Sequence, residues 1–135
     1  MKNKIKLILL IFLPALFLIP SCNKDNGSTP EITRNSLTGK WMVNETQKKI
    51  TYEVTISLDT SKNGVLINNF AGGGSNVNAL AYFSGTTIAL ASNELLSNGW
   101  IVNGSGTVST NRIDWPYTVH DGANQYQIQA VFTKK

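Results

Sequence analysis

The sequence predicts an all-β domain: an eight-stranded antiparallel meander closed into an up-and-down barrel, with a β-sandwich as the alternative. Three observations lead there. Apolar residues recur at every second position through most of the chain beyond Leu37, the spacing of strands with one buried and one wet face. Short clusters rich in Gly, Asn, Ser and Asp separate these runs, as turns separate the strands of hairpins. No segment longer than a turn carries helical spacing. Eight strands in the 99 residues from Leu37 to Lys135 form a meander that must hide its edges, by closing or by splitting into two sheets.

The elements follow from the pattern in order. A first strand begins near Gly39 and turns Trp41 and Val43 to one side. The second is the clearest: Ile50, Tyr52, Val54, Ile56 and Leu58 alternate with Thr51, Glu53, Thr55, Ser57 and Asp59. The turn signal Ser61-Lys62-Asn63-Gly64 leads into a third, Val65 to Phe70. The glycine-rich stretch Ala71–Asn76 reads as a flexible loop, followed by a fourth strand, Val77 to Phe83, and a fifth, Thr86 to Ala91. Ser92–Gly99 reads as an irregular connection with a single helical turn around Glu94-Leu95-Leu96. The sixth strand is Trp100 to Ser109, and the seventh, Arg112 to His120, aligns Ile113, Trp115, Tyr117 and Val119. Asp121-Gly122-Ala123-Asn124 turns into the eighth, marked by Tyr126, Ile128, Ala130 and Phe132. Pro116 has no N–H for a ladder, so it predicts a gap or kink in the seventh strand. Gly104 and Gly106 predict a bulge or room for a neighbouring aromatic.

The residues ahead of this domain carry an address. Lys2, Lys4 and Lys6 precede thirteen residues, Leu7 to Ile19, without charge. That run suits a secretory signal and falls short of the ~20 apolar residues of a membrane span. It ends in Ile19-Pro20-Ser21-Cys22 and then turns abruptly polar. This pattern resembles a bacterial lipobox, although Ile19 and Pro20 replace the commoner Leu and small residue. The resemblance implies that residues 1–21 are a lipoprotein signal peptide, removed so that Cys22 becomes the lipid attachment site. Two or three acyl chains, unlike one, anchor a protein durably. Residues 22–36, with Ile32 as the only bulky apolar residue, form a tether. Fourteen flexible residues reach ~20 Å on average and ~50 Å at most. Residues 37–135 form the β domain.

Composition removes several function classes. Of the formal charge of +4, three lysines belong to residues 1–21, leaving nine basic against eight acidic side chains beyond them. These are scattered, so no basic surface points to nucleic acid. Cys22 is the only cysteine, which excludes an internal disulfide, and one histidine with dispersed acids gives no metal-ligand cluster and no cofactor motif.

Leu37-Thr38-Gly39-Lys40-Trp41 looks like the Gly-x-Trp opening of the lipocalin and avidin (calycin) barrels. The resemblance implies that Gly39 allows a tight start to the barrel, that Trp41 plugs its closed end as a structural residue, and that Lys134 is the basic residue covering it. The biotin-contacting pattern of the avidins is not reproduced by Met42 to Gln47, so biotin does not carry over. Lipobox, Asn-containing tether and short Gly-x-Trp domain together resemble the small lipocalin-like lipoproteins common in Bacteroidetes.

No catalytic constellation is present. Gly104-Ser105-Gly106 lies inside a strand, not between strand and helix, so neither a dinucleotide loop nor a nucleophile elbow is supported. His120 and Asp121 lack a paired nucleophile, and Asp121-Gly122 is explained by turn chemistry. Phe70, Trp100, Trp115 and Tyr117 are the aromatics that would line a binding pocket or stack on sugar rings, set against the plain alternative that they fill the core. Trp100, at a strand start after an irregular loop, is the strongest of the four. The reading is a non-enzymatic, lipid-anchored protein of the cell envelope, at the outer membrane. Its barrel would bind a small apolar ligand or a glycan, or alternatively dock as a structural or interaction lipoprotein on an envelope protein. Tyr52, Val54, Ile56 and the Trp115 face would line an interior site. If that interior is filled, function moves to Ala71–Asn76 and Ser92–Gly99 at the open end.

Overall fold

The computed structural model describes residues 27–135; the expected signal peptide, residues 1–21, and Cys22 lie outside the described residues. From Gly39 onward the alternating pattern is realised as strands β1 Gly39–Glu45, β2 Ile50–Asp59, β3 Gly64–Asn68, β4 Asn78–Ser84 and β5 Thr87–Leu90. The series continues with β6 Glu94–Leu95, β7 Ile101–Ser109, β8 Arg112–His120 and β9 Gln125–Lys134. The sheet runs β5-β4-β3-β2-β1-β9-β8-β7, antiparallel throughout, and β5 pairs with β7 to close the ring. The domain is therefore a closed eight-stranded, lipocalin-like up-and-down barrel rather than a sandwich, and β6 is an extra two-residue strand on the β7 edge beyond the end of β5.

Two local differences from the sequence reading have physical causes, and the gap expected at Pro116 is present. Glu94-Leu95 is not a helical turn. It pairs with Val102 and Ile101, main chain that extends past the end of β5 and needs a partner. The Glu94 side chain completes the repair, accepting the Leu80 N–H at 3.0 Å. The third strand stops at Asn68 because Asn69 adopts a left-handed backbone (φ 62°) and starts a short 3-10 turn, Phe70–Gly72. That turn is pinned by Asn69, whose side chain donates to the Glu53 carbonyl and accepts from the Gly74 N–H, each at 2.8 Å. Pro116 produces an interruption in pairing without a bulge. The β7–β8 register breaks after Gly104↔Tyr117 and resumes at Thr107↔Asp114 with no residue gained or lost, while Pro116↔Gln129 keeps the β9 side continuous.

Inward residues sort into levels along the barrel axis. At one end Trp41 is fully buried, and its Nε1–H donates to the Leu37 carbonyl at 2.8 Å. Leu37 comes from the 3-10 turn Asn35–Leu37, and Ile32 ahead of it packs on the core. The Lys134 ammonium lies 5.6 Å from the centre of the Trp41 ring and also donates to the Ser36 carbonyl. Gly39 has φ +119°, in the region that favours glycine. This end is closed by side chains. The opposite end carries the longer connections, 69–77, 91–100 and 121–124, together with the β1–β2 turn.

Candidate functional site

Between the two ends the barrel is filled by rings. Trp115 meets Phe132 at 5.4 Å and Phe70 edge-on at 5.6 Å, and Phe70 meets Tyr117 at 4.8 Å. The two strand glycines explain how so many rings fit. A Cβ on Gly106 would stand 2.9 Å from Trp115 Cγ, and one on Gly104 only 2.6 Å from Tyr117 Cβ. Both glycines hold space for an aromatic neighbour, one of the two roles the sequence offered. Of the four candidate aromatics, Phe70, Trp115 and Tyr117 are buried in this stack, with Tyr52, Val54 and Ile56 beside it on β2. Trp100 alone stands apart, half-buried at the open end.

Sequence reasoning missed the polar group above the stack. β1 turns Trp41, Val43 and Glu45 inward in succession, and Glu45 is fully buried. Its Oε1 accepts two hydrogen bonds of 2.7 Å, from the Tyr52 and Tyr117 hydroxyls, which lie 3.3 Å from each other. Oε2 has no hydrogen-bond partner; the nearest cation is the Lys48 ammonium, at 3.5 Å. Burial is the main force raising both tyrosines above their ordinary range. For Tyr117 the neighbouring Tyr52 and Glu45 add to it; for Tyr52 the Tyr117 hydroxyl opposes it and Glu45 adds to it. Both hydroxyls therefore remain protonated donors to the carboxylate. The signal was present in the sequence: one more step of alternation beyond Val43 places an acid on the same inward face as two tyrosines.

At the same end of the barrel lies a cleft of about 330 Å³ lined by Lys48, Trp100, Val119, Asp121 and Tyr126, at the lower end of volumes typical for small-molecule sites. Lys48 belongs to both parts, since its ammonium also lies 5.8 Å from the Tyr126 ring centre. Asp121 caps its own turn, accepting the Ala123 and Asn124 N–H groups at 3.0 and 2.7 Å. Those backbone donors hold its carboxyl below the usual range. His120 Nδ1 accepts the Gly122 N–H at 3.2 Å, so both residues of this pair hydrogen-bond within the hairpin. A wider open groove of about 660 Å³ lies elsewhere, between residues 29–34 and the β4–β5 turn. Its walls are mostly loop residues, without the buried polar group that marks the open end. Among the described residues no cluster of three or more His, Cys, Asp and Glu is placed to hold a metal, and no helix is long and apolar enough to cross a membrane. No protein-family model matches the chain, and neither a curated protein nor a solved structure matches it.

Proposed function

We propose that the chain is an exported, lipid-anchored envelope protein whose lipocalin-like barrel binds a small molecule at its open end and catalyses no reaction. The observation that carries the binding reading is the cleft bounded by Trp100 and Tyr126 above an interior packed shut. A ligand in such a barrel sits at the mouth, with aromatic walls for an apolar body or a sugar ring. Titration of the full chain in detergent with a fluorescent fatty acid, N-acetylglucosamine and choline, followed by tryptophan fluorescence, tests it. A saturable change with at least one ligand, lost in Trp100→Phe, is the expected result. Silence with all three, or binding indifferent to Trp100→Phe, overturns the site.

The anchor is tested separately by metabolic labelling with a palmitate analogue: the wild type takes label and Cys22→Ala does not. Equal labelling of both removes Cys22 from the proposal. Leu95 and Ile101 favour a second reading, docking on an envelope protein. They are paired across β6 and β7 and remain 66% and 37% exposed, an apolar spot on the outside of the same end.

A further inference from the structure

We infer that the open-end cleft is a site for an organic ammonium ion, with Glu45 as its counter-charge and Lys48 as a tethered occupant. The inference rests on the cleft being the binding site and names the chemistry it takes.

The argument starts from the unpartnered oxygen. Glu45 Oε2 belongs to a side chain only 1% exposed and accepts no hydrogen bond, an expensive arrangement unless something cationic completes it. The group that approaches it, Lys48, is itself a wall of the cleft, so one side chain joins the buried free oxygen to the cleft. The Lys48 ammonium stands 3.5 Å from Oε2 and 5.8 Å from the centre of the Tyr126 ring. A carboxylate on one side and an aromatic face on the other form the usual surroundings of a bound ammonium.

Lys48 holds that position loosely. Its side chain is 40% exposed, and every residue of the turn and its flank from Thr46 to Ile50 is exposed. A primary ammonium is strongly hydrated and gains by swinging into water. An alkylated ammonium is less hydrated and gains by exchanging water for Trp100 and Tyr126. With Lys48 withdrawn, the charged residue left in the cleft wall is Asp121, with Glu45 buried at the same end, both acidic, while Lys49 on the same turn is exposed to solvent. An anionic ligand would meet the acidic pair unfavourably, and a neutral one would leave Oε2 unmatched.

The test is calorimetric titration of the full chain with choline, with dimethylbutanol as its uncharged carbon isostere, and with butyrate. Choline is expected to bind about tenfold tighter than dimethylbutanol, with butyrate weaker still. Lys48→Ala is expected to tighten choline by about tenfold by vacating the site. Glu45→Gln keeps an acceptor for both tyrosines and is expected to weaken choline by about tenfold in the Lys48→Ala background. Should that variant unfold, Tyr126→Leu, which leaves the buried trio intact, is expected to weaken choline several-fold. Dimethylbutanol or butyrate binding as tightly as choline, or choline binding indifferent to these substitutions, overturns the ammonium assignment and leaves the cleft standing. If none of the three ligands binds either the wild type or Lys48→Ala, the ammonium assignment falls, and the cleft stands or falls with the fatty-acid and N-acetylglucosamine titrations.

Discussion

One strand, β1, supplies the inward residue at both ends of the barrel, and the two ends use it in opposite ways. At the closed end Trp41 is buried with its one polar atom satisfied by Leu37, under a lysine held by the Ser36 carbonyl. At the open end Glu45 is equally buried, but only one of its two oxygens is satisfied. A protein that finishes one end of a core and leaves the other incomplete has a stable plug and a polar group held ready. That difference distinguishes the structural end from the proposed binding end better than cavity size does, since the wider groove, lined by Ile32 and the β4–β5 turn, lies beside the closed end.

The sharpest way to break the comparison is to damage the closed end. Trp41→Ala is expected to cost about 3–5 kcal/mol in urea unfolding, the range for large aromatics lost from a core. The ligand response of the molecules that remain folded is expected to persist, because the cleft lies at the far end. Next comes the ring stack between the ends. Gly106→Ala would place a Cβ 2.7 Å from the Asp114 carbonyl and 2.9 Å from Trp115, and overpacking of that kind costs about 1–3 kcal/mol. Tyr117→Phe removes one of the two donors to Glu45 and is expected to cost about 1–2 kcal/mol. Tyr52→Phe costs less, because Tyr52 is half-exposed and water replaces part of the loss. A double-mutant cycle between the two is expected to be non-additive, since both act on one oxygen. Smallest is Lys48→Ala, expected to cost about 1 kcal/mol or less, since it removes a part-exposed cation from beside the buried Glu45 oxygen; a much larger destabilisation would mean that Lys48 is part of the fold.

The two ends also separate on alkaline titration. Tyr52 and Tyr117 keep their protons in the folded barrel at pH values where the unfolded chain, with tyrosines near about 10, loses them. Above about pH 10 the fold therefore binds more protons than the unfolded chain. Stability is complete below that pH and falls as it rises further. Tyrosinate absorbance from Tyr52 and Tyr117 is expected to appear together with unfolding. Tyr117→Phe is expected to shrink that step.

Much of this architecture was legible because strand period and turn chemistry are local. Ile50 to Leu58 announces a two-faced strand without reference to any partner, and Leu37 to Trp41 announces the closed end together with Lys134. The hidden features depend on who sits opposite whom. Glu94 becomes a strand residue only because β7 outruns β5, and Asn69 ends β3 by a backbone twist that an Asn-Asn-Phe run does not specify. Glu45 was overlooked because an acid ordinarily marks the wet face of a strand; its burial follows from Tyr52 and Tyr117, seven and seventy-two residues away. Of the four aromatics picked from the sequence, only Trp100 reaches the cleft, because the closing of the ring turns the other three onto each other.

The three tryptophans report the three levels of the barrel, which allows one direct measurement. Indole N–H resonances of the full chain, followed by NMR during a choline titration, separate Trp100 at the mouth from Trp115 in the stack and Trp41 at the plug. The expected result is a saturable shift of the Trp100 signal, enlarged in Lys48→Ala, with Trp41 and Trp115 stationary. Movement of Trp115 while Trp100 stays fixed would mean that ligand enters the interior, and would contradict the division of the barrel into a filled core and a binding end.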